Sequence, residues 1–566
     1  MMILNPIRRV TTARLGMITG VCCLALLISV SGCKKQTPPT TSAKNASSEE
    51  TAGESGSGNQ DDPDCNSYID NAMSMLEPER LGISSSLERA VGLLNQWTFK
   101  CGNFDTDPPS LTDSQKPFLK KYLSEAQLAK MDLTRFTEFD GKFIRDSQLF
   151  NGMVNASIEG KSNDVERITS AFYYCMNNVV LITNQQNVLP LSPYEICILG
   201  AGSAEQRAWI YIDMLRQLRL DAVLLKPAKE AKEAPYKLLV GVLLDEDIYL
   251  FDPVLGLPIP AKDQPADTVL IQKAATLAEV LKSPEILKDF YGEDAANRFS
   301  AEELKAPQAL IMGRSCEWSS RMRRLEDSLS RKQTFVLFRN LEELKGDPGF
   351  ISHLKTIGKG ILIDAEIKVS EYPDKEIDAS EAVEGDLAKR IASLKLPFRA
   401  PVPFDPKARV QKPEGFEVQW GAPTRKLLKT RTAQLMGDQE AAIESYVTTR
   451  LEAGFPSDLI VPQETRLMHL MAAQQATYFL ALGQYLQGED ASASRSFNDY
   501  FRLYSRVDPE RTIASMYLMA ISDAKSGKLS SAIVAVAENK PPAALKPAFP
   551  YLEKRWRAIR DNAPKN

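Results

Sequence analysis

Histidine is nearly missing from this chain of 566 residues, where only His353 and His469 occur. Imidazole is the usual general base near neutral pH and the commonest metal ligand, so chemistry built on it is restricted from the outset. Cysteine supplies no metal pattern either. Five cysteines follow position 33 (Cys65, Cys101, Cys175, Cys197 and Cys316), none with C-x-x-C spacing, so neither a metal nor a cofactor is expected. In an oxidising compartment they allow one or two disulfides, with at least one thiol left over. No excess of positive charge exists: 69 Lys and Arg face 73 Asp and Glu, for a net charge of −4. That balance excludes the basic footprint of a nucleic-acid protein. Long apolar runs are absent as well. The run Leu15–Val30 has about sixteen residues, short of the roughly twenty that span a bilayer, and no later segment is long enough.

What is present begins with an export pattern. Arg8, Arg9 and Arg14 precede the apolar run, with no acidic residue before Cys33. This is the layout of a signal peptide. The run closes on Val30-Ser31-Gly32-Cys33, which resembles the lipobox of bacterial lipoproteins, where small residues admit the processing peptidase and the cysteine thiol takes up diacylglycerol. The expectation is cleavage after residue 32 and lipid on Cys33, a stable anchor once more than one acyl chain is attached. Lys34, in place of aspartate, favours the periplasmic face of the outer membrane. Removal of residues 1–32 takes three arginines and no acid, so the charge of −4 becomes about −7. Residues 33–64 contain nothing more apolar than alanine or proline after the cysteine. Such a segment cannot offset its ordering entropy and is expected to be a disordered linker, about 30 Å long as a coil and about 100 Å at full stretch.

The remaining roughly 500 residues predict three or four domains, and 43% apolar residues suffice for proper cores. The expected class is mostly α with an α+β centre. Amphipathic stretches such as SSLERAVGLLNQW make residues 65–170 a helical region. Residues 171–300 turn to α+β: AFYYCMNNVVLI runs from helix into extended chain, and an apolar strand carrying Cys197 meets a glycine turn. A helix over 203–219 and a strand DAVLL follow, then YKLLVGVLL and DIYLFDP joined by the polar turn Asp245-Glu246-Asp247. Residues 301–415 are mixed, with strands expected at TFVLFRN and ILIDAEIKV. Arg321, Arg323 and Arg324 lie there on a helix and are expected to form a solvated face.

From 416 to the end the pattern is helical and repeats. Gly437, Gly488 and Gly527 each end a helix. Each is followed five residues later by alanine (Ala442, Ala493, Ala532) and nine later by a large apolar residue (Tyr446, Phe497, Val536). Ala481 and Ala520 precede two of these glycines by seven. The pattern resembles a degenerate tetratricopeptide repeat, with spacings of 51 and 39 rather than 34. The resemblance implies a helical stack, with glycines at turns, alanines buried, no strand beyond residue 430, and a protein or peptide partner bound in its groove.

Residues 196–226 invite two comparisons. Strand, GAGSAE, helix and strand resemble the dinucleotide fingerprint through Gly200 and Gly202, but Glu205 stands at the third glycine and Lys226 where a ribose-binding acid belongs. The other resemblance, over about 170–265, is to the transglutaminase-like, papain-related cysteine enzymes. It rests on Gly202-Ser203-Ala204-Glu205, Ala208, Leu215-Arg216-Gln217-Leu218, and YKLLVGVLL followed by Leu250-Phe251-Asp252-Pro253. In that family a cysteine at the helix start attacks, a histidine activates it and an aspartate orients the histidine. Here those positions fall on Ala204, Lys237 and Asp252. The resemblance therefore implies an inactive domain, with Lys237 paired to Asp252 over the Ala204 methyl. The functional expectation is a membrane-tethered, non-enzymatic interaction protein of the cell envelope. The alternative is an envelope hydrolase or acyl-transfer enzyme using Cys197, Ser203 or Lys237 with Asp252.

Overall fold

The computed structural model describes residues 63–80, 87–101, 111, 113, 115–228, 236–330, 333–342, 348–358 and 365–562. The signal segment, Cys33 and the linker up to residue 62 lie outside these. The chain is mostly helical, with an α+β centre. At its N-terminal side, helices Pro63–Met75 and Glu88–Cys101 are joined by a Cys65–Cys101 disulfide. They pack with Phe143 and Ile144 of the long Glu138–Ile158 helix around a core of their own. A far larger core runs without a break from Leu111 to Trp556.

Six strands form the central sheet, in the order Leu257–Pro258, Asp247–Asp252, Leu239–Leu244, Ala222–Pro227, Pro307–Ile311 and Glu366–Val369. All neighbours are antiparallel except the last pair. The expected hairpin is present, with Leu244 already opposite Asp247, so the turn is Asp245-Glu246. Asp245 adopts φ +56°, a left-handed value that aspartate tolerates better than most residues. Leu239–Leu244 is buried on both faces, as a strand covered on both sides must be. The Ala204–Gln217 helix packs against it and against Ala222–Pro227. Ser203 and Gln206 close a capping box at the start of this helix, and every helical residue but Glu205 is buried.

Several sequence expectations are corrected. Cys197 is on a short helix, Pro193–Leu199, not a strand; Gly200 ends it with φ +67°, and the extended chain is only Ala201–Gly202, parallel to Val180–Leu181. TFVLFRN forms no strand, because side chains take its amides: Gln217 accepts the Val336 N–H and Glu326 accepts those of Leu337 and Phe338. The strand in ILIDAEIKV covers Glu366–Val369. Arg321 does not face solvent. It is 2% exposed and donates to Asp140 and to the carbonyls of Lys130, Met131 and Leu133.

The C-terminal helices begin at Lys426, after short strands over Gly415–Val418 and Trp420–Pro423 that displace the expected start at 416. Consecutive helices pack on one another from Lys426 to Asn562. Gly437, Gly488 and Gly527 sit at turns with φ of +102°, +78° and +83°. Ala442, Ala493 and Ala532 are buried, with Tyr446, Phe497 and Val536 beside them in the core. The expectation of no strand beyond 430 fails at Leu459–Ile460, which pairs with Phe416 and Glu417. That strand lies in the loop 453–462, against 505–508 in the next unit. The Gln463–Leu486 helix has 24 residues against 17 in Pro509–Lys525, and together these account for the wider first spacing.

Candidate functional site

The positions that the transglutaminase-like resemblance aligns with a triad, Ala204, Lys237 and Asp252, sit at the start of the Ala204–Gln217 helix and at the open end of the central hairpin. Ala204 is the first residue of the helix and is 5% exposed. Its neighbours close the tip. The Ser203 hydroxyl accepts the Gln206 N–H, and the Gln206 amide donates to Glu376 and to the Leu189 carbonyl. Glu205 pairs with Lys226 at 2.7 Å.

Lys237 and Asp252 do not meet. The Lys237 ammonium is 2.7 Å from Glu303, which corrects the expected pair over Ala204. Partial burial opposes ionisation of Glu303, yet Lys237 and Ser300 together hold its carboxyl below the usual range. Asp252, 1% exposed, accepts the Val254 and Leu255 N–H groups, as the cap of the turn after Pro253, and the Tyr291 hydroxyl proton. Burial raises its pKa even so, against the field of Arg298.

The other nucleophile candidates are equally enclosed. Cys197 is fully buried, and burial pushes its thiol far up, helped by Cys175 nearby. A high thiol pKa leaves little thiolate, the reactive form. Neither histidine approaches. His353 Nδ1 lies 2.7 Å from Asp221, which also holds Arg339. Asp221 follows the far end of a 14-residue helix, about 20 Å from its start. His469 contacts the Pro401 carbonyl.

The structure instead opens elsewhere. A groove of about 1370 Å³ runs between the Asp164–Asn178 helix, the 263–273 loop and the repeat turns at 437–440 and 485–487. A partner was expected in the repeats, in a groove of the stack if it had one; the wall facing the repeat turns comes instead from residues 156–177, a contact between segments far apart in the chain. Two buried arginines set the contact. Arg431 donates to the carbonyls of Asn178 and Cys197, and Arg511 to that of Leu199, a favourable place for cations because these carbonyls end two helices. Lining carboxylates (Glu159, Glu166, Asp263, Asp438, Glu440) outnumber the lysines Lys161, Lys273 and Lys525. Lys273 is already paired with Asp263, and Lys525 faces Asp490. Within the wall, Thr169 Oγ1 and Gln439 Oε1 are buried without partners. Among the described residues, no group of three or more His, Cys, Asp and Glu is placed to hold a metal ion.

The chain matches no family model, no curated protein and no solved structure.

Proposed function

We propose that the chain is a lipid-tethered interaction protein of the bacterial cell envelope. On this reading its central domain is a transglutaminase-like fold without catalysis, and its C-terminal helices are a degenerate tetratricopeptide stack. The observation that carries the non-enzymatic part is the closed helix tip. A methyl group stands at the nucleophile position, the lysine at the histidine position is taken by Glu303, and Asp252 spends its oxygens on its own turn and on Tyr291. The Cys65–Cys101 disulfide suits an exported protein. Among the described residues no helix is long and apolar enough to cross a membrane; on this reading attachment is by lipid on Cys33. The polar groove, with its surplus of carboxylates, suits a peptide or protein segment rich in N–H donors and positive charge.

The test is covalent reactivity. The full chain, purified in detergent, is treated with a fluorophosphonate and with iodoacetamide, and modified residues are read by mass spectrometry. No adduct is expected on Ser203 or Cys197 under native conditions. Rapid stoichiometric labelling of either would transfer the reading to the hydrolase or acyl-transfer alternative.

A further inference from the structure

A second and smaller cavity, of about 50 Å³, lies between the Ala204–Gln217 helix and the Pro509–Lys525 helix. Its walls are chiefly apolar, including Met176, Val180, Leu255, Ile513 and Leu518. One side is charged. Arg207, 5% exposed, donates through Nη1 to the carbonyls of Pro253 and Val254 and through Nη2 to that of Met176. Gly256, with φ +68°, has no Cβ to obstruct the guanidinium, which would stand 3.1 Å from one. No carboxylate among the described residues touches Arg207; Asp252 acts on it only through space. Two buried polar groups in this lining have no partner at all, the Arg207 Nε–H and the Tyr517 hydroxyl. Arg207 and Tyr517 act on each other through space, although Tyr485 acts on the Tyr517 hydroxyl more strongly than Arg207 does. Glu510, the one carboxylate among the described lining residues, is engaged by the N–H and hydroxyl of Thr183.

An unmet cation in an apolar enclosure selects its ligand by elimination. A second cation is repelled, and a neutral alkane leaves both donors unsatisfied at about 1–3 kcal/mol each. A long acyl chain exceeds the space, which holds about four waters' worth of volume. We infer that the cavity binds a small aliphatic carboxylate of about three or four carbons, whose oxygens accept the Arg207 Nε–H and the Tyr517 hydroxyl proton while its tail meets Leu255, Ile513 and Leu518.

Sodium butyrate is the probe, titrated into the detergent-solubilised full chain at ionic strength held constant with chloride. The readouts are thermal shift and calorimetry, with 1-butanol as the uncharged control. Butyrate is expected to raise Tm saturably and 1-butanol to leave it unchanged. Arg207→Met removes binding, but it also frees three backbone carbonyls, so Tyr517→Phe is the decisive variant. Its lost hydroxyl had no partner, so the ligand-free variant should melt at the same temperature or higher, while its butyrate Kd weakens about tenfold. No saturable shift with butyrate, an equal shift with 1-butanol, or equal butyrate affinity in Tyr517→Phe would each overturn the site and leave it to ordered water.

Discussion

Lys237 holds Glu303 at 2.7 Å, and that contact separates two side chains that the transglutaminase-like resemblance aligns with neighbouring members of a triad. Lys237 keeps some contact with solvent, its side chain 15% exposed, while Asp252 is sealed in the core, the whole residue 1% exposed. Their substitutions should therefore differ. Lys237→Met breaks a partly exposed pair and is expected to cost about 1 kcal/mol or less. Asp252→Ala strands two N–H groups and a tyrosine hydroxyl, at about 3 kcal/mol or more. Chemical denaturation of the two variants checks the order; equal losses would contradict it.

A buried charge cluster gives the fold a pH dependence of definite sign. On the Ala204–Gln217 helix Arg216 meets Asp213 at 2.7 Å and, beyond the helix, Glu317 at 2.9 Å, while Arg314 meets Asp146 at 2.8 Å. Burial pushes the Glu317 carboxyl from an ordinary 4.5 up to about 8, against the field of Arg216. Between those values the folded chain holds more protons than the unfolded one, so this group's contribution to stability falls as pH rises from 4.5 to about 8. Melting temperatures across that range should decline less steeply in Glu317→Gln. An unchanged slope would show that Glu317 is ionised throughout.

The disulfide closes a loop with a sequence separation of 36, for which the chain-entropy estimate is about 4 kcal/mol. Reduction, or Cys65→Ser with Cys101→Ser, should lower the unfolding temperature and release the Pro63–Met75 and Glu88–Cys101 helices to proteolysis first. Cys175, Cys197 and Cys316 are buried, so thiol reagents should reach them only after unfolding.

Repeat turns that look alike in sequence should respond differently. Gly437 and Gly527 both have left-handed φ, which disfavours alanine. At Gly437 an added Cβ also meets the Ala156 methyl at 2.8 Å, whereas at Gly527 nothing lies within 4 Å. Gly527→Ala should cost about 1–2 kcal/mol, and Gly437→Ala about 1–3 kcal/mol more from overpacking. Equal Tm losses would refute the close contact between that turn and the Glu138–Ile158 helix.

Features readable in the sequence are those fixed by neighbours along the chain. Alternating apolar residues around Asp245-Glu246 gave the hairpin, the run after Ser203 gave the helix, and the glycine-alanine period gave the buried Ala442, Ala493 and Ala532. Partner choice over long separations was not readable. Glu303 reaches Lys237 from 66 positions away and Asp140 draws Arg321 inward across 181. TFVLFRN has the β-propensity of a strand, but Gln217 and Glu326 capture its amides before any strand can. The groove and the Arg207 cavity both lie between distant segments, so no local motif announces either.

Lipid on Cys33 is the claim on which the envelope reading stands, since export, tether and compartment all follow from it. Cells expressing the full chain are to be grown with an alkyne-bearing fatty acid, and the purified protein examined by click fluorescence and mass spectrometry. The expected result is label on the wild-type chain at Cys33, now its N-terminal residue, and none on Cys33→Ala. An unlabelled wild-type chain that retains residues 1–32, or label that persists in Cys33→Ala, would contradict the account.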